Sequence, residues 1–307
     1  MTMDPLSDVL RLLKPTSFGL RGLNAGGNWQ LHFPASAGIK AYAIESGTCW
    51  MLLDGGGDPV RLGAGNVVLL PGRSAFRLYT STAAEPINAF QFFPSFPVGT
   101  TGTINGGGDC FGIGGFFDFE GRHTELLLNV LPAAVHIRSE AGRAALGVLI
   151  DRLMQELREP QLGSALIAGH LAQTLLVEAL RLHLADAPGQ ARGWLAALGD
   201  LRMRAALSAM HADPAKPWTL ANLARTAGMS RSSFAAHFKE TVGEPPLEYL
   251  TRWRMMLAAD RLAQGRTTLA MVAPTVGYNS ESAFGAAFKR VLGQSPRQFV
   301  QAIAAER

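Results

Sequence analysis

The last third of the chain contains one sequence pattern twice. Residues 219–228 and 268–277 match at an offset of 49, through Thr219, Leu220, Ala221, Ala224, Thr226 and Gly228 of the first copy. Past the shared glycine the match continues at an offset of 50, through Ser230, Ser232, Phe234, Ala236, Phe238, Lys239, Gly243 and Pro246. An extra residue confined to the turn indicates two helix–turn–helix units, which proteins use to place a helix in the DNA major groove.

Each copy has a serine after its turn and then two phenylalanines four residues apart. Ser230 and Ser280 are predicted N-caps, and the phenylalanines are predicted to face the core because they share one side of a helix. The opposite side and its flanks are predicted to contact DNA. These residues are Arg231, Ser232, Ala235, Ala236, Lys239, Glu281, Ser282, Gly285, Ala286, Lys289, Arg290 and Arg297.

The segment between the copies, residues 245–262, begins with two prolines and is predicted to be one long helix. Its length would fix the two recognition helices relative to each other. Pro274 lies inside the predicted first helix of the second copy. Since an interior proline removes a helix hydrogen bond at a cost of about 3 kcal/mol, we expect the second unit to be loosened.

Charge supports this interpretation of the repeat. Residues 200–307 hold 14 Lys and Arg against 8 Asp and Glu, whereas residues 1–199 hold 14 against 16. A basic C-terminal third is typical of nucleic-acid binding. We expect a cytoplasmic protein, because the chain shows neither a long uncharged apolar run nor a signal peptide, and its two cysteines suit a reducing compartment.

The N-terminal part predicts β structure followed by helices. Short strand-forming segments alternate with glycine-rich turns between residues 17 and 125, which suggests a barrel or sandwich. The predicted strands are 39–44, 49–53, 66–70, 75–80, 87–93 and 111–119. Apolar stripes between 139 and 185 predict two helices that end and restart around Pro160, followed by a linker at 186–193. One stripe either belongs to the core or pairs with a second subunit.

The C-terminal third resembles the AraC/XylS family of bacterial transcription regulators. The resemblance is carried by ARTAGMSRSSFAAHFK (224–239), GEPPLEYL (243–250), VGYNSESAFGAAFKR (276–290) and GQSP (293–296). It implies a sequence-specific, DNA-binding transcription regulator and not an enzyme. The expected partners are double-stranded promoter DNA, a small-molecule effector, a second copy of the chain and RNA polymerase.

The N-terminal part resembles the cupin-type sensor domain of one branch of that family, through DPLSDVLRLL (4–13), GTCW (47–50) and GNVVLLP (65–71). Together the resemblances imply a multi-domain α+β fold. We expect a cupin-like β-barrel over 1–138, a helical connector that dimerises and a linker over 139–193, and an all-α tandem helix–turn–helix domain over 194–307.

The chain departs from the family where base contacts are expected. Members often carry an arginine in the exposed middle of each recognition helix, whereas this chain has Ala236 and Ala286. A bidentate Arg–guanine contact is worth about 1–3 kcal/mol of discrimination. Base reading would then depend on Ser232, Ser282 and Glu281, on alanine methyl groups against thymine, or on DNA shape. We therefore expect modest specificity. The alternative is a protein that keeps the regulator scaffold, discriminates weakly between DNA sequences and acts through protein interaction.

The sensor domain leaves three alternatives open. Many cupins are metalloenzymes with a His-x-His pair, but this chain has none, so we expect neither a metal nor a cofactor. A small molecule could bind in the barrel against His32, Trp50, Phe76, Phe90 and Phe92. Alternatively, Cys49 and Cys110 could form an oxidant-sensitive pair, if the glycine-rich loop before Cys110 lets them approach.

Overall fold

The computed structural model describes residues 4–12, 15–36, 38–71, 74–119, 134–137, 140–186, 193–265 and 267–306. These residues divide into two compact units. The β-rich unit contains the described residues between 15 and 119 and between 134 and 186. The helical unit contains residues 4–12 together with 193–265 and 267–306. The first helix therefore groups with the C-terminal helices, whereas the sequence assigned it to the sensor domain.

The β-rich unit consists of two sheets. The strands are β1 (Pro15–Ala25), β2 (Gln30–Phe33), β3 (Ile39–Ser46), β4 (Thr48–Leu53), β5 (Val60–Gly63), β6 (Val67–Pro71), β7 (Phe76–Tyr79), β8 (Pro86–Asn88), β9 (Thr101–Ile104), β10 (Cys110–Phe119) and β11 (Val135–Ile137). The first sheet has the order β11-β6-β3-β10-β1-β9 and the second the order β5-β4-β7-β2-β8. Alternate residues of both sheets point into one apolar core, which includes Leu31, Tyr42, Met51, Val68 and Phe76.

Most of the predicted strands are confirmed, with one clear error. The interpretation of 87–93 as a strand is wrong: β8 ends at Asn88 and a short helix, α2 (Ala89–Phe92), follows. Asn88 is the N-cap, since its Oδ1 accepts the backbone N–H of Phe90 at 2.9 Å. The strand-forming phenylalanines therefore lie on a helical turn that lines the edge of the core.

Two long helices complete the β-rich unit, as the apolar stripes predict. They are α3 (Glu140–Arg158) and α4 (Ser164–Asp186), which pack against each other. The Ser164 hydroxyl donates to the buried Glu156 carboxylate at 2.6 Å and ties the start of α4 to the end of α3. The predicted linker lies largely outside the described residues.

The helical unit contains nine helices within its described residues. They are α1 (Pro5–Leu12), α5 (Trp194–Ala197), α6 (Leu201–Ala212), α7 (Leu220–Thr226), α8 (Arg231–Val242), α9 (Pro246–Ala263), α10 (Leu269–Thr275), α11 (Glu281–Leu292) and α12 (Pro296–Glu306). The pairs α7–α8 and α10–α11 are the two helix–turn–helix units, and their second helices, α8 and α11, are the recognition helices. Helix α9 is the connecting helix that the proline pair predicts. The N-terminal helix α1 packs against α6.

The caps and the core of both units agree with the sequence prediction. The Ser230 hydroxyl accepts the N–H of Ser233 at 3.3 Å, and that of Ser280 accepts the N–H of Ala283 at 3.2 Å. Both recognition helices end at a glycine in the left-handed region, which favours glycine because no Cβ is present. The phenylalanines are fully buried, and the rings within each pair lie 5.5–5.6 Å apart. They are Phe234, Phe238, Phe284 and Phe288.

Pro274 does not shorten its helix. It lies in the last turn of α10, and α10 has the same length as α7, seven residues. Because Pro274 lacks an N–H, the bond that Arg225 makes at the equivalent place of α7 is missing from α10. The Thr268 side chain also makes no cap hydrogen bond, whereas that of Thr219 accepts the N–H of Asn222 at 3.2 Å. The first helix of the second unit is therefore held by fewer hydrogen bonds, not by fewer residues.

Candidate functional site

Eleven of the twelve residues predicted to contact DNA lie on the solvent-facing sides of the recognition helices α8 and α11, and Arg297 lies at the start of α12. All twelve are exposed except Ala235 and Gly285, which are half-buried at the edge of the same faces. Each helix therefore has two opposite sides, one formed by buried phenylalanines and the other by small side chains and lysine. Lys239 and Lys289 lie in the last turn of their helices, where a positive charge also stabilises the helix dipole.

A buried hydrogen-bond chain lies behind the first recognition helix, and the sequence did not predict it. Trp194 Nε1 donates to the Tyr249 hydroxyl at 2.7 Å, and that hydroxyl lies 2.6 Å from Nε2 of His211. Nδ1 of His211 lies 3.3 Å from the Asp8 carboxylate. Tyr249 also packs edge-on against Phe238 of α8, with ring centroids 5.8 Å apart.

The groups at the two ends determine which atom donates in each hydrogen bond between them. An indole N–H can only donate and a carboxylate can only accept, so His211 must carry its proton on Nδ1 and accept from Tyr249 on Nε2. A neutral imidazole satisfies every group. Burial lowers the pKa of His211, against the opposing effect of Asp8, and this agrees with the neutral form. The result is a rigid support for α8 built from α1, α5, α6 and α9.

A second polar contact holds α8 at its edge. His237 Nε2 lies 2.7 Å from the carboxylate of Asp200, which also caps α6 by accepting the backbone N–H groups of Arg202 and Met203. The hydrogen bonds from His237 and the two backbone N–H groups lower the pKa of Asp200, against a raising effect of burial. The carboxylate therefore stays ionised and joins the two helices.

The two cysteines lie side by side in the core of the β-rich unit. Cys49 of β4 and Cys110 of β10 come from different sheets, and their thiols are hydrogen-bonded to each other. Both side chains are buried, at 1 % and 3 % exposure. The hydrogen bond with Cys110, together with burial, raises the pKa of Cys49 well above its ordinary value. The contact that the sequence left open is present without any loop movement.

The β-rich unit has a cavity of about 300 Å³ between β3, β10 and α2. Apolar groups form most of its wall, several of them aromatic, and Phe33 stacks on Phe76 behind it at 4.5 Å. Polar groups come from Ser36, Arg21, Lys40, Tyr42 and Asp118, none of which the sequence had selected. One feature of the sequence could have indicated this cavity: a lysine lies between Ile39 and Ala41 in a predicted strand.

Of the five predicted ligand-binding residues, only Phe90 lines this cavity. Phe76 is fully buried core, and Phe92 packs on Phe93 and Phe96. His32 pairs with Asp54 at 3.1 Å, and Trp50 is 40 % exposed. The structure therefore does not bring the predicted set together. In the part of the chain that is described, no group of three or more His, Cys, Asp or Glu is placed to hold a metal ion.

Known proteins share both halves of this architecture. A family model described as a cupin matches residues 4–185, and one described as a helix-turn-helix domain matches residues 223–302. A putative AraC-like transcription regulator of Streptomyces lividans is 45 % identical over 97 % of this chain and 98 % of its own length. The chain belongs to the AraC-like transcription regulators. It is a DNA-binding transcription regulator with a cupin-type N-terminal domain.

Two further AraC-like relatives match nearly the whole chain. The transcriptional regulator AlkR of Acinetobacter baylyi is 32 % identical, with 97 % of this chain and 99 % of AlkR aligned. The RCS-specific transcriptional activator RclR of Escherichia coli is 28 % identical, with 97 % of each chain aligned. The family resemblance and the multi-domain fold predicted from the sequence are thus confirmed.

Proposed function

We propose that this AraC-like regulator reads promoter DNA with the exposed faces of α8 and α11. The observation that carries the proposal is the paired arrangement itself: two capped helices, each with buried phenylalanines on one side and exposed Ser, Ala and Lys on the other. Ser232, Ser282 and Glu281 contact base edges, and the alanines approach thymine methyl groups. Arg231, Lys239, Lys289, Arg290 and Arg297 contact phosphates and fix the register.

Because the recognition side chains are small, we expect the affinity for promoter DNA to exceed the affinity for random DNA only modestly. Without an arginine at positions 236 and 286, much of the selectivity comes from DNA shape and flexibility. Gel-shift titrations at physiological salt test this, with promoter DNA from upstream of the gene against random DNA of equal length. We expect tighter binding to the promoter; equal affinity would favour a scaffold that acts through protein contacts.

The regulator is proposed to act as a homodimer through α3 and α4. Large apolar side chains on these helices and on the turn between them are exposed, namely Val148, Leu162, Leu166 and Ile167. Over Ser164–Ala185 helix α4 is long and apolar enough to span a membrane, yet only 33 % of an apolar 18-residue stretch within it is buried. A second copy covering this face explains both facts. Two linked half-site contacts then bind DNA more tightly than one.

Sedimentation velocity tests the dimer. The double variant Leu166→Glu/Ile167→Glu is expected to sediment as a monomer where the wild type is a dimer. Leu201→Glu is a matched control, since Leu201 is 70 % exposed on the helical unit. A monomeric wild type, or a dimer that survives the double substitution, contradicts this interface. We further propose that the dimer is cytoplasmic, has no catalytic activity, and contacts RNA polymerase once bound at a promoter.

The effector is proposed to be a small molecule that occupies the cavity between β3, β10 and α2. The cavity is concave, mostly apolar and carries a few polar groups, which are the usual properties of small-molecule sites. Occupancy would stiffen the strands and α2 around it and alter how the DNA-binding units are presented.

A redox response is the second candidate, and the contact between Cys49 and Cys110 favours it. Two adjacent thiols form a disulfide when an oxidant such as hypochlorous acid takes two electrons from them and becomes chloride and water. One of the two thiol protons enters that water and the other is released. The relative RclR of Escherichia coli is named as RCS-specific, which supports a test of this redox response. We expect oxidant to change DNA binding of the wild type but not of Cys49→Ser. If both respond alike, the cysteine pair is not the sensor.

A further inference from the structure

The polar lining of the cavity in the β-rich unit is made mainly of hydrogen-bond donors. Arg21 of β1 donates from Nε to the carbonyl of Phe96 at 2.7 Å, and this bond holds its guanidinium at the cavity wall. Among the described residues, its Nη1 and Nη2 groups make no hydrogen bond. The Tyr42 hydroxyl, on β3, likewise has no hydrogen-bond partner in the described part of the chain. Both groups can therefore bind a ligand acceptor.

Lys40 adds a second cation to the same wall. Its side chain is buried, and Nζ donates to the carbonyl of Ser36 at 2.7 Å. Burial lowers the pKa of Lys40 to about 8, against a raising effect of Asp118. Asp118 also lines the cavity but is exposed at its edge. With one carboxylate against two cations, the lining keeps a net positive charge.

The remaining wall is apolar and favours a ligand whose apolar part is small. Phe33, Phe90 and Phe93 line it with Gly114 and Gly115 of β10. A Cβ on Gly114 would come within 2.5 Å of the Tyr42 ring, so the glycine leaves room for that ring. A cavity of about 300 Å³ is at the lower end of the usual range for small-molecule sites, so one aromatic ring or a short alkyl chain fits it.

We propose that the cavity binds an organic monocarboxylate with an apolar body. Its carboxylate is held by the Arg21 guanidinium, the Lys40 ammonium and the Tyr42 hydroxyl, and its body lies against the phenylalanines. The inference rests on the proposed role of this cavity as the effector site, and names the class of effector. A guanidinium fork matches the two carboxylate oxygens, which makes Arg21 the main determinant of affinity.

Neutral and cationic ligands fit this lining less well. A neutral amide offers one carbonyl to several donors and leaves the excess positive charge of the lining uncompensated. A cation would meet Arg21 and Lys40. A phosphate ester has the right charge, but it needs more polar contacts than this apolar wall supplies.

Calorimetry on the full-length protein tests the assignment with matched pairs of probes. Each of phenylacetate, benzoate and octanoate is titrated beside its neutral amide. We expect at least one acid to bind at least about ten-fold more tightly than its amide, because a charged hydrogen-bonded pair contributes more than a neutral one. We also expect proton uptake on binding at pH 8.5, detected with buffers of different ionisation enthalpy, since a bound carboxylate raises the pKa of Lys40.

Substitutions test which side chains of the cavity bind the acid. Arg21→Gln, Lys40→Met and Tyr42→Phe are each expected to weaken acid binding, with Arg21→Gln losing about ten-fold or more. Arg61→Gln, on β5, is the control and should bind the acid like the wild type. If Lys40→Met does not fold, as its thermal transition will show, Arg21→Gln and Tyr42→Phe decide the matter alone.

The proposal is overturned if no acid binds, if acid and amide bind equally, or if Arg21→Gln binds the acid as tightly as the wild type. Footprinting of the same samples separates this failure from failure of the proposed function. Protein that protects promoter DNA but binds no acid remains a regulator with another effector. Protein that binds the acid but never protects DNA leaves the site intact and contradicts the DNA proposal.

Discussion

The carboxylate of Asp8 lies 3.3 Å from Nδ1 of His211, although 203 residues separate them in the chain. Through this contact the N-terminal helix α1 becomes part of the unit that carries the recognition helices. Leu6 and Val9 of α1 are buried there as well. The segment that precedes the first strand of the sensor is therefore a structural element of the DNA-binding unit.

Removing the Asp8 carboxylate is expected to destabilise the helical unit. Asp8→Ala leaves the buried Nδ1–H of His211 without an acceptor, which costs about 1–3 kcal/mol of unfolding free energy. Urea denaturation measures the loss, and Glu240→Gln, at an exposed position on α8, is the control. If Asp8→Ala unfolds at the same urea concentration as the control, α1 does not dock in solution.

Acidification is expected to weaken the same unit through His211. Because its pKa in the folded protein is below the ordinary value of 6.5, the unfolded chain takes up the proton first as the pH falls. This contribution to stability is complete above about pH 6.5 and declines below it. Protonation also puts a hydrogen on Nε2, which faces the Tyr249 hydroxyl. The charged groups that act on His211 are Asp8 on α1, Asp4 just before α1, and Arg252 on α9.

Thermal unfolding between pH 7.5 and 5 measures this effect. The wild type should lose stability more steeply than His211→Gln, and the slopes, not the absolute midpoints, are compared. His170→Gln, at an exposed histidine of the β-rich unit, should keep the wild-type slope. Parallel slopes for the wild type and His211→Gln would show that His211 is not the titrating group.

Adding an arginine to the first recognition helix is expected to create base discrimination. Ala236 is exposed, so Ala236→Arg can be accommodated without repacking. A bidentate contact with guanine would add about 1–3 kcal/mol of preference at one base pair. Site selection from random DNA should then recover a guanine that the wild type does not require. Ala236→Lys should raise affinity without that preference, and identical site profiles for all three proteins would place Ala236 off the DNA.

Exchanging residues between the two copies tests the effect of Pro274. Pro274→Arg should stabilise the second unit, since it restores the N–H that α7 has at Arg225. Arg225→Pro should destabilise the first unit by up to about 3 kcal/mol. Urea unfolding of both variants measures the pair. Equal stability of Pro274→Arg and the wild type would mean that the proline at the end of α10 costs nothing.

The sequence predicts the helical unit well because its determinants are local. The caps Ser230 and Ser280, the phenylalanine pairs and the connecting helix all follow from spacings within a few turns. The contact of Asp8 with His211 joins distant parts of the chain and has no local pattern. The strand error at 87–93 has a local cause, since Asn88 caps a helical turn in a segment whose composition favours a strand.

The cavity was harder to predict than the recognition helices. Its cations come from β1 and β3 and its aromatic wall from β2 and α2, so only the sheet topology brings them together. Residue type alone favoured His32, Trp50 and Phe76. In the fold these form a hydrogen bond to Asp54, an exposed ring and part of the core. The domain boundaries and the individual DNA contacts stay predictions.

The central claim is that α8 and α11 bind DNA together, and footprinting on the DNA upstream of the gene tests it most directly. The wild type should protect two major-groove segments about 34 Å apart on one face of the duplex. Ala236→Glu/Ala286→Glu places a carboxylate on both exposed faces, so it should keep the wild-type circular dichroism and lose both protected segments. Protection that persists unchanged in the double variant would contradict the account.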